Sequence, residues 1–179
     1  LLMVLALIGF RGLWGSSGAA FDMLIGLGQG LLLGVGVFLS ILFHELGHSL
    51  VAKRLGIDVA EIELHFFGGT AKIVGEPKTP NDEIRIAIAG PLVSFAIASL
   101  GITLFMLLPF GAEFAAFLFI ANLSLGVFIM LPALPMDGGR IFRALLSRKM
   151  GMIRATEISV SVAKVVAVGL GVFGLMQMH

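Results

Sequence analysis

The hydrophobic positions of this chain run on in long uncharged blocks, with no steady alternation between an apolar and a polar helix face. A helix needs roughly 20 apolar residues to cross the hydrocarbon core of a bilayer. Blocks of that order extend from Met23 to Phe43, from Ile86 to Ala112 and from Phe114 to Met136. A further block, Ile158 to Met178, is interrupted only by Lys164, and Leu1 to Phe10 reads as the end of a truncated span. The pattern predicts an all-α polytopic membrane protein with about five transmembrane helices, at residues 1–11, 23–52, 84–109, 114–136 and 155–178. The opening Leu1-Leu2-Met3 and the apolar ending read as cuts in a longer chain, with room for a sixth span beyond them.

Between the second and third spans the pattern changes. Residues 58–67 alternate in part at period two, then meet Gly68-Gly69 and the short run Thr70 to Val74, which predicts a strand-like insertion or hairpin over 58–75. The stretch Gly75 to Asp82 has turn chemistry, with Asn81 or Asp82 placed to cap the third span.

Composition supports a membrane chain: 58% of residues are hydrophobic and 13% charged, with a mean hydropathy of +1.07. A formal net charge of +1 offers no basic field for nucleic acid and no acidic one. The absence of cysteine leaves His, Asp and Glu as the available metal ligands. Most of the 12 Lys and Arg residues fall in two connections. Lys53, Arg54, Lys72, Lys78 and Arg85 occupy one, and Arg140, Arg143, Arg148, Lys149 and Arg154 the other. Positive charge marks cytoplasmic loops, so the chain is expected to cross the cell membrane several times. The end of the second span and the end of the fourth then share the cytoplasmic side.

Both of those ends carry polar groups. In His44-Glu45-Leu46-Gly47-His48 the two histidines stand at i and i+4 on one helix face, where both can ligate one ion while Glu45 reaches water beside it. A glutamate at membrane depth costs roughly 2.5–3.5 kcal/mol on insertion scales, a penalty that a bound cation offsets. Catalytic zinc keeps about three protein ligands and an open position. Asp137 is the candidate third: Pro132 and Pro135 before it break helical hydrogen bonding, and Gly138-Gly139 after it allow close backbone approach. The plain alternative is that Asp137 caps the basic helix that follows. His65 reads as a strand residue, His179 is terminal, and Lys164 stands two turns after Glu157 on the same face, where pairing or snorkelling accounts for it.

With HELGH in a predicted span, FFGGTA, AGPLVSF and LPALPMDGGR downstream, the chain resembles the site-2 protease family of intramembrane zinc metalloproteases, in its archaeal and bacterial branch. The likeness runs from about Leu31 to Met150. It implies Zn2+ held by His44, His48 and Asp137, with Glu45 activating water against a peptide carbonyl of a transmembrane protein substrate. It also implies that the strand at Phe67, Gly68 and Gly69 receives unwound substrate by β-addition, although a simple Gly-Gly turn remains the plain reading there. Archaeal relatives often continue into a further helix and a cytoplasmic CBS region.

One departure stands near the chemistry. Relatives commonly carry Asn after the Phe of a Phe-Asn-Leu-Leu-Pro stretch, where it is thought to hold substrate or the oxyanion; here Phe128 is followed by Ile129. Losing one oxyanion donor typically lowers rates by ~10²–10³, so a catalytically impaired, zinc-bound homologue that binds membrane segments is the alternative function. Asn122, seven residues earlier, lies roughly 10 Å away along the helix and does not replace that side chain. Ser94, where relatives often have Asn, is a lesser departure. Metal transport requires a polar path across both leaflets, whereas the ionisable groups here cluster on one side.

Overall fold

The computed structural model describes residues 20–65, 68–74, 77–108 and 111–177. The predicted span 1–11, Phe67 and His179 lie outside the described residues. Helix α1 spans Ala20–Arg54, strands β1 and β2 span Asp58–His65 and Gly68–Val74, and four further helices follow. These are α2 (Pro80–Leu107), α3 (Ala112–Ile129), α4 (Asp137–Met150) and α5 (Met152–Met176).

Four helical segments, Gly28–Arg54, Pro80–Leu107, Ala112–Ile129 and Met152–Met176, are long and apolar enough to cross a membrane, with mean hydropathies from 1.8 to 2.1. Their outer faces expose Leu31, Leu92, Met106 and Val165, a surface suited to lipid rather than water. Inside, many of the buried residues are small, among them Ala87, Ala98, Ala115, Ala144 and Ser94. Apolar burial gives little driving force between helices in hydrocarbon, so small residues that bring backbones into contact take its place. At Gly101 a Cβ would lie 2.8 Å from the Phe119 nitrogen and 2.9 Å from the Ala115 carbonyl oxygen, so any side chain there would force α2 from α3.

The chain leaves α1 through Gly56, whose φ of 74° suits glycine. β1 then pairs antiparallel with β2, Asp58 opposite Val74, Ile62 opposite Ala71 and His65 opposite Gly68, with an irregularity between Val59 and Glu61. The two-stranded ribbon packs beside α1.

The cap of α2 differs from expectation. Thr79, not Asn81 or Asp82, is the N-cap; its Oγ1 accepts from the Asp82 backbone N–H at 3.2 Å. The reason is Pro80, whose fixed φ and missing N–H suit the first helical position and leave the preceding residue as cap. The same helix ends at Leu107, just ahead of Pro109, rather than at 109.

The predicted span 114–136 is also too long. α3 stops at Ile129, and Met130 to Met136 form turns with a cis Leu134–Pro135 bond. Prolines at 132 and 135 cannot donate to a helical ladder. The irregular backbone is satisfied locally, through Leu131 N to Phe128 O (3.2 Å), Ala133 N to Leu131 O (2.7 Å) and Met136 N to Ala133 O (2.9 Å). These bonds supply part of the internal pairing that backbone groups at membrane depth require.

Helix α4 is too polar to span, and an ion pair from Arg143 to the buried Glu83 and a hydrogen bond from Arg148 to Asn81 tie it to the start of α2. These ties set where its N-terminus, Asp137, is presented. α5 packs against α4, and its Ala155 and Ser159 are wholly buried.

Candidate metal centre

His44 and His48 project from α1 toward α2, both buried at 3% and 4% exposure. Each ring is anchored through Nδ1. His48 Nδ1 lies 2.7 Å from the Ile86 carbonyl oxygen, and His44 Nδ1 lies 2.9 Å from Ser94 Oγ. A carbonyl only accepts, so the hydrogen of a neutral His48 sits on Nδ1 and the Nε2 lone pair points into the site. Between these anchors is Gly90, whose Cβ, if present, would overlap His48 Nε2 and Cε1 and His44 Nε2. On the α1 side Gly47 is also in close contact, since a Cβ there would sit 2.9 Å from the Ala89 carbonyl oxygen. The two glycines let the helices approach until both rings lie on the α2 backbone.

Asp137 arrives from the far end of the chain. It is the first residue of α4, with Met136 as N-cap, so it is not the capping residue that its local sequence also allowed. Its Oδ2 lies 3.2 Å from His44 Nε2 and 3.0 Å from His48 Nε2, and the two Nε2 atoms are 3.1 Å apart. Arg140, one turn on, stands 3.5 Å from Oδ1 of the same carboxylate. Gly138 and Gly139 press against the turn backbone at Met130 and Ala133, which holds the start of α4 in place.

The donor set fits a metal ion. Ligand atoms about 2.0–2.1 Å from a tetrahedral zinc lie roughly 3.3 Å from one another, close to the 3.0–3.2 Å separations here. Two nitrogen lone pairs and a carboxylate oxygen converge on one point, an arrangement that repels itself unless a proton or a cation sits among them. Among the described residues, His44, His48 and Asp137, all three buried, form a group of potential ligands whose donor atoms lie within 4.8 Å of one another. Glu45 is half-buried beside them on α1, and His65 is elsewhere, on β1 opposite Gly68.

This geometry accords with what the chain is similar to. The model of peptidase family M50 matches residues 32–111 and 110–170. The chain belongs to peptidase family M50. It is 44% identical over 149 residues to a zinc metalloprotease of Methanocaldococcus jannaschii, covering 80% of this chain and 42% of that protein. Over 146 residues it is 30% identical to stage IV sporulation protein FB of Bacillus subtilis, covering 79% of this chain and 48% of the relative. The chain thus spans less than half the length of these two relatives. A solved site-2 protease from Methanocaldococcus jannaschii superposes with a TM-score of 0.70 and 33% identity, covering 99% of this chain and 79% of that one. The resemblance to site-2 proteases and the membrane character read from the sequence both hold.

Within this M50 chain, sequence reasoning passed over Ile86, Gly90 and Arg140, and took Ser94 only for a departure from the family pattern. Ile86, Gly90 and Ser94 recur every four residues, one face of α2, and that spacing beside Pro91 was the available signal. Pro91 itself removes a ladder hydrogen bond to Ala87 and loosens the helix next to the carbonyl that His48 engages. Asn122 is wholly buried and committed elsewhere, its Nδ2 donating to Ser40 Oγ at 3.0 Å and to the Leu118 carbonyl at 2.9 Å. It braces α3 against α1 one turn from His44 and leaves the position of Ile129, the last residue of α3, without an amide.

Proposed function

We propose that this chain is the catalytic core of an intramembrane zinc endopeptidase that hydrolyses peptide bonds in or near transmembrane segments of other membrane proteins, as in regulated intramembrane proteolysis. The observation that carries this reading is the convergence of His44, His48 and Asp137 next to Glu45 on a helix apolar enough to span the bilayer. Zinc held there supplies Lewis-acid chemistry, acidifying water and drawing charge from a carbonyl oxygen. The protein's part is to fix the three ligands, two on α1 and one at the start of α4, with both helices packed against α2. Glu45 takes the proton from the attacking water and returns it to the leaving amine. The site lies toward the cytoplasmic side, where the clustered Lys and Arg residues bring α1 and α4 to a common face.

A helical peptide bond is shielded and its carbonyl already bonded, so substrate must be unwound first. The ribbon suits that role: β1 and β2 pair only with each other among the described residues, leaving strand edge for an added strand. Gly68 and Gly69, which open β2, and Phe67, which precedes them in the sequence, are the substrate-binding positions on this reading. The bilayer supplies the solvent and a transmembrane protein the substrate; nucleic acid has no part in it.

Ile129 favours a second reading, a zinc-bound homologue that binds membrane segments and turns them over slowly. The two part in one assay: full chain in detergent with a labelled single-span protein, with zinc, after chelation and after zinc is restored. The protease reading predicts products that stop and return with the metal; metal-dependent binding of the substrate without products would leave the second. If Ile129 impairs a working site, Ile129→Asn is expected to raise the cleavage rate by ~10²-fold, the size of one oxyanion donor. An unchanged initial rate would show that this chain does not need that amide.

A further inference from the structure

The metal ligands of this chain are held unequally, and the inequality picks out one side chain. His48 is oriented by a main-chain carbonyl, Ile86 O at 2.7 Å, which no substitution removes. His44 is oriented by a single hydroxyl, Ser94 Oγ at 2.9 Å, fifty residues away on α2. Ser94 has 0% exposure, so no solvent stands in for it. The bond closes the far end of a bed formed by three successive turns of α2: the Ile86 carbonyl, the bare Cα of Gly90 and the Ser94 hydroxyl.

We propose that Ser94 is a positioning residue for the metal centre: by accepting the Nδ1 hydrogen of His44 it fixes the ring tautomer and aims Nε2 at the ion. The inference rests on the metal reading above but not on proteolysis. An imidazole that ligates through Nε2 carries its hydrogen on Nδ1, and in a dry site that hydrogen needs an acceptor. Without the hydroxyl, the N–H either stays buried and unpaired or the hydrogen moves to Nε2, where it blocks ligation. Outer partners of this kind typically change metal affinity by about 10–100-fold. A mere spacer role is the competing account, because a small residue at 94 also lets α1 and α2 pack closely; it requires the side chain's size and not its oxygen.

Zinc affinity of the full chain in detergent, measured by chelator competition, separates the two. Ser94→Ala keeps the small size and is expected to weaken zinc binding by ~10–100-fold, to alter the visible spectrum of the cobalt-substituted protein, and to leave the melting of the metal-free form unchanged. Ser94→Thr retains the hydroxyl and is expected to stay within a few-fold of wild type. Wild-type affinity and an unaltered cobalt spectrum in Ser94→Ala would overturn the proposal, and so would equal losses in the alanine and threonine variants. A wild-type chain that binds no zinc would instead sink the metal reading itself, whereas a chain that binds zinc but cleaves nothing leaves the role of Ser94 standing.

Discussion

Replacing Glu45 by glutamine is expected to leave the metal centre loaded while lowering peptide hydrolysis by ~10²–10⁴-fold, the range of a general base. Glutamine matches glutamate in size and keeps hydrogen-bonding capacity, so α1 and its two histidines should stay where they are. The carboxylate's ability to take a proton from water is lost. Glu45 is adjacent to His44 and three residues before His48, which sets it at the edge of the ligand face rather than within it. Zinc content and initial cleavage rate, measured on the same preparation, check this prediction. A glutamine variant that retained a rate close to wild type would remove Glu45 from the chemistry, and one that lost its zinc would make it part of the metal-holding apparatus.

The second large effect is expected at a residue that carries no functional group. Gly90→Ala places a methyl group where His48 Nε2 and Cε1 and His44 Nε2 now lie. The rings cannot swing aside without breaking their bonds to Ile86 and Ser94. Nor can α1 easily back away, because the same contact is built from its side at Gly47 against Ala89. Overpacking of this kind costs about 1–3 kcal/mol, which corresponds to roughly 5- to 150-fold in zinc affinity when it falls on the ligands. The measurement is zinc affinity alongside thermal stability, with Gly101→Ala as the contrast. Gly101 is also closely packed, against Ala115 and Phe119, yet it is not part of the bed under the rings, so its substitution should lower stability while zinc affinity holds. Equal zinc affinity in Gly90→Ala and wild type would show that the α2 backbone is not the floor of the site.

These expectations share a cause. The chain builds its centre by bringing backbone, rather than large side chains, up to the ligands. In hydrocarbon that is the economical way to hold two helices together, and it leaves little slack around three groups whose mutual repulsion a cation relieves. Arg143 and Glu83 extend the same logic outward: the pair ties α4 to the start of α2 and so helps fix the height at which Asp137 meets the histidines. Ile129 stands apart from this scaffold, at the end of α3, which is why its effect is predicted on turnover and not on metal binding.

The amino-acid sequence alone determined what depends on neighbours within a turn or two. Apolar blocks marked four helices long and apolar enough to cross a bilayer, because crossing demands length and the absence of charge. The i, i+4 histidines specified a shared face because the α-helix turns every 3.6 residues. The prolines around Asp137 marked irregular backbone, although not that it begins as early as Met130. Only the tertiary structure decided which faces meet. It brought Asp137 to His44 across 93 residues, put the Ile86, Gly90 and Ser94 face of α2 beneath both rings, and sent Asn122 to Ser40 rather than to the place of the missing amide. Local periodicity encodes which side of a helix is special; the depth and rotation at which two helices dock depend on close packing between surfaces distant in sequence, and in this chain much of that packing is written in glycine and serine, residues whose sequence pattern says little until their neighbours are known.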